Sequence, residues 1–220
     1  MNKVFIDCGA NRGQSIDLFI KAWDSPKDYQ IHCFEANQDF EEKLVSKKRF
    51  YSDFNININV PIAVWDRDTE GELNFYGSGE AGAAVDDSTP TTGSSFMSRL
   101  RDFKPKSISL ANWILNNFSR EDYIVLKLDI EGAEYRVIKD LKNKNVLNYI
   151  NEFFYEWHGP KKGYTFEDDI NALTTLEEAG LTPKHWNGNT KKVDTKAVNK
   201  ERIKNWYERK LKELGKRFKT

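Results

Sequence analysis

The sequence predicts an α/β fold, a doubly wound and mostly parallel sheet with an inserted β-hairpin and a C-terminal helix. Three observations predict it. Apolar runs of strand length alternate with helix-period segments along the chain, the order from which parallel sheets are built. The first run, VFID, enters a turn holding Gly9 and Gly13 and then a helix-like QSIDLF. Acids stand at the ends of four separate apolar runs, Asp7, Glu35, Asp129 and Glu156, and in open α/β sheets ligands bind at the carboxyl ends of strands.

Val4 to Ile6 is the first strand, Ser15 to Trp23 a helix, Ile31 to Phe34 the second strand and Asp39 to Lys48 a helix. Ile58 to Val64 reads as the third strand, and Gly71 opens a turn into the alternating GELNFY, which predicts a β-hairpin arm. From Gly77 to Ser95 the chain is rich in Gly, Ser, Thr and Asp without a core pattern, predicting a long loop of the kind that serves as a lid or binding loop. Ser109 to Asn117 is helical, and YIVLKLDI, Tyr123 to Ile130, is a continuous apolar strand of the type buried on both faces. Glu131 to Leu141 follows as a helix, Ile150 to Tyr155 as a strand, and Phe166 to Ala179 as a helix closed by Gly180. Strand signal is weak after that, around Leu181 to Trp186.

Composition bounds the reading. At 220 residues, one sizeable core is expected. No window approaches the roughly 18 uninterrupted apolar residues of a membrane span, and no basic, apolar and cleavage-site pattern precedes the first strand. Of the two cysteines, Cys8 lies in the turn and Cys33 in the second strand, so both read as small buried residues in a reducing cytoplasm, bacterial or that of a virus's host. Net charge is zero, but residues 196–220 hold ten Lys or Arg against three Glu, leaving −7 on the remainder. Within that segment Ile203, Trp206, Tyr207, Leu211, Leu214 and Phe218 recur at helical spacing. The expected organisation is a domain over residues 1–195 and a basic amphipathic helix over 196–220 packed on it. Its cationic face is either a solvated surface or a surface for RNA or an acidic glycan.

The turn discriminates among cofactors. Dinucleotide loops use G-x-G-x-x-G to bring free backbone N–H groups onto a pyrophosphate, whereas here the spacing is D-x-G-x-x-x-G. A carboxylate at the turn's mouth repels phosphate and attracts an ammonium group, so S-adenosylmethionine fits better than NAD. Glu35 follows Gly13 by 22 residues, the place where an acid accepts hydrogen bonds from ribose hydroxyls.

Taken together, VFIDCGANRGQS, CFEAN, PIAVWDRDTEGELNFY, SISLANWI, IVLKLDIEGAEYRVIKDL and FFYEWHG resemble the FkbM family of S-adenosylmethionine-dependent methyltransferases over roughly Val4 to Trp186. The D-x-E-G-x-E block, Asp129 to Glu134, is the most family-specific piece. The resemblance implies a seven-stranded, Rossmann-like class I methyltransferase fold and transfer of a methyl group to a hydroxyl, often on a sugar or another small molecule. It places Asp7, Gly9, Ala10, Asn11 and Gly13, with Gln14 and Ser15 at the helix start, at the methionine end of the donor. It places Glu35 at the ribose and Ala63 and Val64 at the adenine, with Ala36 and Asp129 also among the donor-binding candidates; Asp66 is a weaker candidate, and Ser94 and Ser95 could reach either ligand. Many relatives carry N-terminal helices over the site. Here cover is expected from the Gly77 to Ser95 loop, the C-terminal helix or a second subunit.

For the chemistry the candidates are Lys127, Asp129, Glu131, Glu134, Glu156 and His158. Asp129, Glu156 and His158 could hold a divalent cation such as Mg2+, lowering the pKa of a bound alcohol; alternatively His158 is a direct general base. Plainer readings stand beside these. Acids in a first helical turn are favoured by the helix dipole, Lys127 could simply reach solvent, and Trp157 is as well placed for a core as for stacking on a sugar. Two other functions remain open. A cap-type RNA 2'-O-methyltransferase would need a Lys-Asp-Lys-Glu set, here incomplete around Asp129, Lys161 and Lys162, and a degenerate donor-binding domain would serve as an assembly module.

Overall fold

The structure, a computed structural model, describes residues 1–78, 81–85, 103–156, 158, 164–186 and 197–213. In chain order its elements are β1 (Lys3–Cys8), α1 (Gln14–Ala22), β2 (Tyr29–Phe34), α2 (Glu41–Phe50), β3 (Asn55–Asn59), β4 (Ile62–Trp65), β5 (Asn74–Ser78) and β6 (Ala81–Val85). There follow β7 (Lys106–Ser109), α3 (Leu110–Asn117), β8 (Tyr123–Leu128), α4 (Glu134–Asn143), β9 (Ile150–Tyr155), α5 (Phe166–Glu178), β10 (Lys184–His185) and α6 (Lys200–Glu213). The central sheet is parallel throughout, in the order β10-β9-β8-β1-β2-β3. Strand order reverses between β1 and β8, so the doubly wound expectation holds and the crevice above these two strands is where a ligand belongs.

Alternation in β1 and β8 builds the core on both faces of the sheet. Val4, Ile6 and Cys8 pack with Ile124, Leu126 and Leu128 against α3, α4 and α5, while Phe5 and Val125 face Phe19, Leu44, Phe154 and Trp186 on the other side. Phe5 and Phe19 stack at 4.1 Å. Both cysteines are buried and free. No helix among the described residues is long and apolar enough to cross a membrane.

Four expectations are corrected. The described residues give the central sheet six strands, not seven. The third strand is two: β3 stays in the central sheet and β4 pairs in parallel with β7, Ile62 beside Lys106. Pro61, which has no N–H to give a ladder, separates them, and β7 was not read from the sequence at all. The hairpin is present, but residues 81–85 form its return strand, Asn74 opposite Val85, where a loop was expected; Ser94 and Ser95 lie outside the described residues. Finally α4 begins at Glu134, not Glu131, because Glu131 and Gly132 have φ of 58° and 109°, outside the helical region. The helix-dipole reading of Glu131 therefore fails.

Helix α5 is capped at both ends. Thr165 and Asp168 form a reciprocal capping box, and Gly180, with φ of 80°, adopts the left-handed turn that ends the helix. Buried Ile203 and Tyr207 seat α6 on the core, with the Tyr207 hydroxyl donating to the Tyr164 carbonyl at 2.9 Å. Lys200, Lys204 and Arg209 lie on its exposed side.

Asp169, in α5, is fully buried and accepts from the Tyr135 hydroxyl. Burial raises its carboxyl to about 7 from 3.8, against the hydrogen bond from Tyr135 that pulls it down. A raised folded-state pKa means the folded protein holds the proton more tightly. The resulting stability is complete below the unfolded value and disappears as pH rises through the folded one. Between pH 5 and pH 8 this group should cost the fold about 2 kcal/mol. Urea unfolding at both pH values should show most of that loss in the wild type and little of it in Asp169→Asn; equal pH dependence in the two proteins would refute the assignment.

Candidate active site

Above the β1–β8 junction lies a cleft with about 650 Å³ of empty space, part of it open to solvent. Its walls come from the turn after β1 (Gly9, Asn11), the end of β2 and its loop (Glu35, Ala36, Asn37), strand β4 (Ile62 to Trp65) and the loop after β8 (Asp129 to Glu131). This brings together Gly9, Asn11, Glu35, Ala36, Ala63, Val64 and Asp129 among the expected donor residues. Ala10, Gly13, Gln14 and Ser15 support the turn instead. Gly13 is the N-cap of α1 with φ of 81°. Ala10 and Ser15 are buried, and the Gln14 side chain accepts from the Arg12 N–H at 3.1 Å.

Every backbone N–H from Gly9 to Gly13 already has an acceptor inside the protein. Gly9 and Ala10 both donate to the Phe34 carbonyl, at 2.9 and 3.0 Å, and Gly13 donates to the Ala10 carbonyl at 2.8 Å. Asn11 N–H donates to Glu35 Oε2 at 2.8 Å, and Arg12 N–H to Asn11 Oδ1 at 2.8 Å. The turn therefore offers no free amides to a pyrophosphate, unlike a dinucleotide loop.

Glu35 is clamped on both oxygens, since Oε1 accepts from Asn37 N–H at 2.7 Å while Oε2 accepts from Asn11. Burial pushes its carboxyl up, and the two amide hydrogen bonds and Lys127 pull it back. Each oxygen retains a lone pair, so the group can still accept from a diol in the cleft.

Asp7 and Lys127 stand elsewhere than expected. The register sets them side by side on β1 and β8, and both are buried, with Lys127 Nζ 2.9 Å from Asp7 Oδ1. The carboxylate does not sit at the cleft's mouth, and the ammonium is neither solvent-facing nor aimed at a substrate. Lys127 also donates to the Gly9 carbonyl at 2.8 Å and lies 3.5 Å from Asp129 Oδ2. Burial alone would lower its pKa, but Asp7 and Asp129 raise it well above that of an ordinary lysine; the Asp7 carboxyl is itself raised by burial. Together the pair braces the turn from below.

The remaining candidates converge at the acidic rim. Glu134 is 2% exposed and ties the loop together: Oε1 accepts from Ile130 N–H at 2.7 Å and Oε2 from Gly132 N–H at 2.8 Å. Oε1 also lies 3.0 Å from His158 Nδ1. His158 Nε2 faces Asp129 Oδ1 and Glu131 Oε2, each at 3.8 Å. Burial would lower the imidazole's pKa, yet Glu134, Glu131 and Asp129 lift it to about 10, so the surrounding carboxylates favour the protonated ring wherever no other cation takes its place. Burial, and then Asp129, push the neighbouring Glu156 carboxyl up. Asp66 does not line the cleft; it pairs with Arg67 at 3.2 Å and Arg136 at 3.4 Å.

Sequence reasoning missed the apolar walls. Phe34, Phe40, Ile62, Trp65, Ile130 and Ala133 line the cleft; Phe34, Ile62, Trp65, Ile130 and Ala133 lie within or beside the motifs already singled out, but nothing local tells a cleft-facing apolar residue from a core one. Trp157, Lys161 and Lys162 lie outside the described residues.

No curated protein and no solved structure matches the chain significantly. The family model for the methyltransferase FkbM domain matches residues 7–182, a span that contains the saturated turn, Glu35 and the whole acidic loop. The chain belongs to the FkbM methyltransferase family.

Proposed function

We propose that the protein transfers the methyl group of S-adenosylmethionine to a hydroxyl of a sugar, a glycan or another small molecule. The observation that carries this reading is the pairing of an amide-saturated turn with a doubly clamped carboxylate at Glu35. Such a cleft suits a ligand with a ribose diol and no phosphate. The adenine would lie along Ala63 and Val64, with Ala36 beside the ribose.

The bound donor supplies an electrophilic methyl on a sulfonium. The protein's part is to hold the acceptor hydroxyl in line with it, which is worth several orders of magnitude in rate, and to take the proton. Asp129 and Glu131 line the cleft beside His158, and Glu131 receives that proton. Oxygen gains the methyl, the carbon–sulfur bond breaks, and its electron pair remains on sulfur. The sulfonium becomes a neutral thioether. Lys127 and Asp7 act one layer below, by holding the turn.

Calorimetric titration with S-adenosylmethionine and S-adenosylhomocysteine tests the donor half. Saturable binding is expected, with NAD failing to compete. Glu35→Ala should weaken it at least tenfold, since hydrogen bonds to a charged group contribute about 1.5–3 kcal/mol each. Absence of binding to the wild-type protein would overturn the proposal.

A further inference from the structure

We infer that Asp129, Glu156 and His158 form a binding site for a hard divalent cation of the magnesium or manganese type. One ligand atom from each lies within 4.8 Å of the others, the only such group among the described residues. An ion with ligands at about 2.0–2.4 Å separates opposite ligands by about twice that distance, so the site needs little rearrangement to close on one.

The histidine is prepared for this role. Glu134, held by two backbone amides, lies 3.0 Å from His158 Nδ1. That bond places a proton on Nδ1 and turns Nε2 toward the carboxylates, the carboxylate–imidazole arrangement that orients metal-bound histidines. Nε2 belongs to a side chain 7% exposed, yet it stands 3.8 Å from both Asp129 and Glu131. Nδ1 is closed on Glu134, whereas Nε2 stays wider from both Asp129 and Glu131 than the length of a direct charge-assisted hydrogen bond, about 2.7–2.9 Å. The spacing instead leaves room for an ion between them. Lys127 Nζ, 3.5 Å from Asp129, already holds Asp7 and does not fill that gap.

Three protein ligands leave part of a six-coordinate shell open. Asp129 also lines the donor cleft, so the open positions adjoin it. Resting on the methyl-transfer reading, the consequence is an acceptor whose hydroxyl coordinates the ion and thereby loses its proton more readily, with Glu131 receiving that proton. The oxygen then takes the methyl and sulfur keeps the bonding pair. Glu134 is a positioning residue.

The experiment is a titration of the EDTA-stripped protein with Mn2+, followed by loss of the free-ion electron paramagnetic resonance signal, with no donor or acceptor present. One saturable site per chain is expected. Glu156→Gln should weaken it at least tenfold and Glu134→Gln by about 10–100-fold, with circular dichroism reporting that each variant is folded. No saturable Mn2+ binding to the wild type, or unchanged affinity in a folded Glu156→Gln, would overturn the site. S-adenosylmethionine is titrated separately into the stripped protein. Donor binding without Mn2+ binding sinks the cation alone, and Mn2+ binding without donor binding sinks the donor reading alone.

Discussion

Lys127→Met should destabilise the protein by about 3–5 kcal/mol, because it leaves the Asp7 carboxylate buried without its counter-charge. Asp7 is 0% exposed and Lys127 1%, so water cannot replace the missing ammonium. The variant loses the 2.9 Å ion pair and the 2.8 Å hydrogen bond to the Gly9 carbonyl together. Adding Asp7→Asn should recover most of the loss, since removing a buried pair as a pair is often nearly neutral. Urea unfolding of the wild type, both single variants and the double variant measures the coupling. A coupling below about 1 kcal/mol would put the pair on the footing of an exposed salt bridge and remove its role as the brace of the turn.

Gly9→Ala should abolish measurable donor binding and lower stability by roughly 2–4 kcal/mol, combining overpacking with a left-handed backbone. A Cβ on Gly9 would stand 1.8 Å from the Asp129 carbonyl oxygen and 2.8 Å from its carbon, at a φ of +80°. Both of those atoms are backbone, so no rotamer relieves the clash. The turn and the Asp129 loop would have to part, breaking the Asp129 N–H bond to the Cys8 carbonyl, 3.1 Å in the native protein. Gly13→Ala is the control. Its φ is nearly the same, +81°, but the new Cβ meets only side-chain atoms at 3.2–3.4 Å, so only the conformational cost of about 1–2 kcal/mol applies. If the two variants bound donor and melted alike, close approach of the two loops would not be what demands glycine at position 9.

Much of this protein was legible because the signals were local. The continuous apolar run YIVLKL and the glycine turn after VFID identified the central strands, and Gly180 marked a helix end by its own backbone chemistry; the caps at Ser109 and Thr165 were not read. Glu35 could be placed because a strand end, a glycine turn and a spacing near 20 residues recur together in such units. Asp129, Glu156 and His158 could be grouped because acids at the ends of neighbouring parallel strands must face one crevice.

What the chain could not reveal locally was decided by pairing between distant segments. Lys127 looks like a solvent-facing strand residue until β8 lies beside β1, where the register puts it next to a carboxylate 120 positions earlier. Asp7 looks like a ligand group until the same register buries it. Strand β4 looks like the end of β3 until Pro61 and the β7 edge draw it out of the central sheet. The sequence by itself determined the alternating fold, the turn and the acids at the strand ends, because backbone sterics and hydrophobic periodicity act within a few residues. Tertiary structure alone decided which acids face the cleft and which are neutralised beneath it. A buried charge takes its state from whatever strand the fold sets within about 4 Å of it.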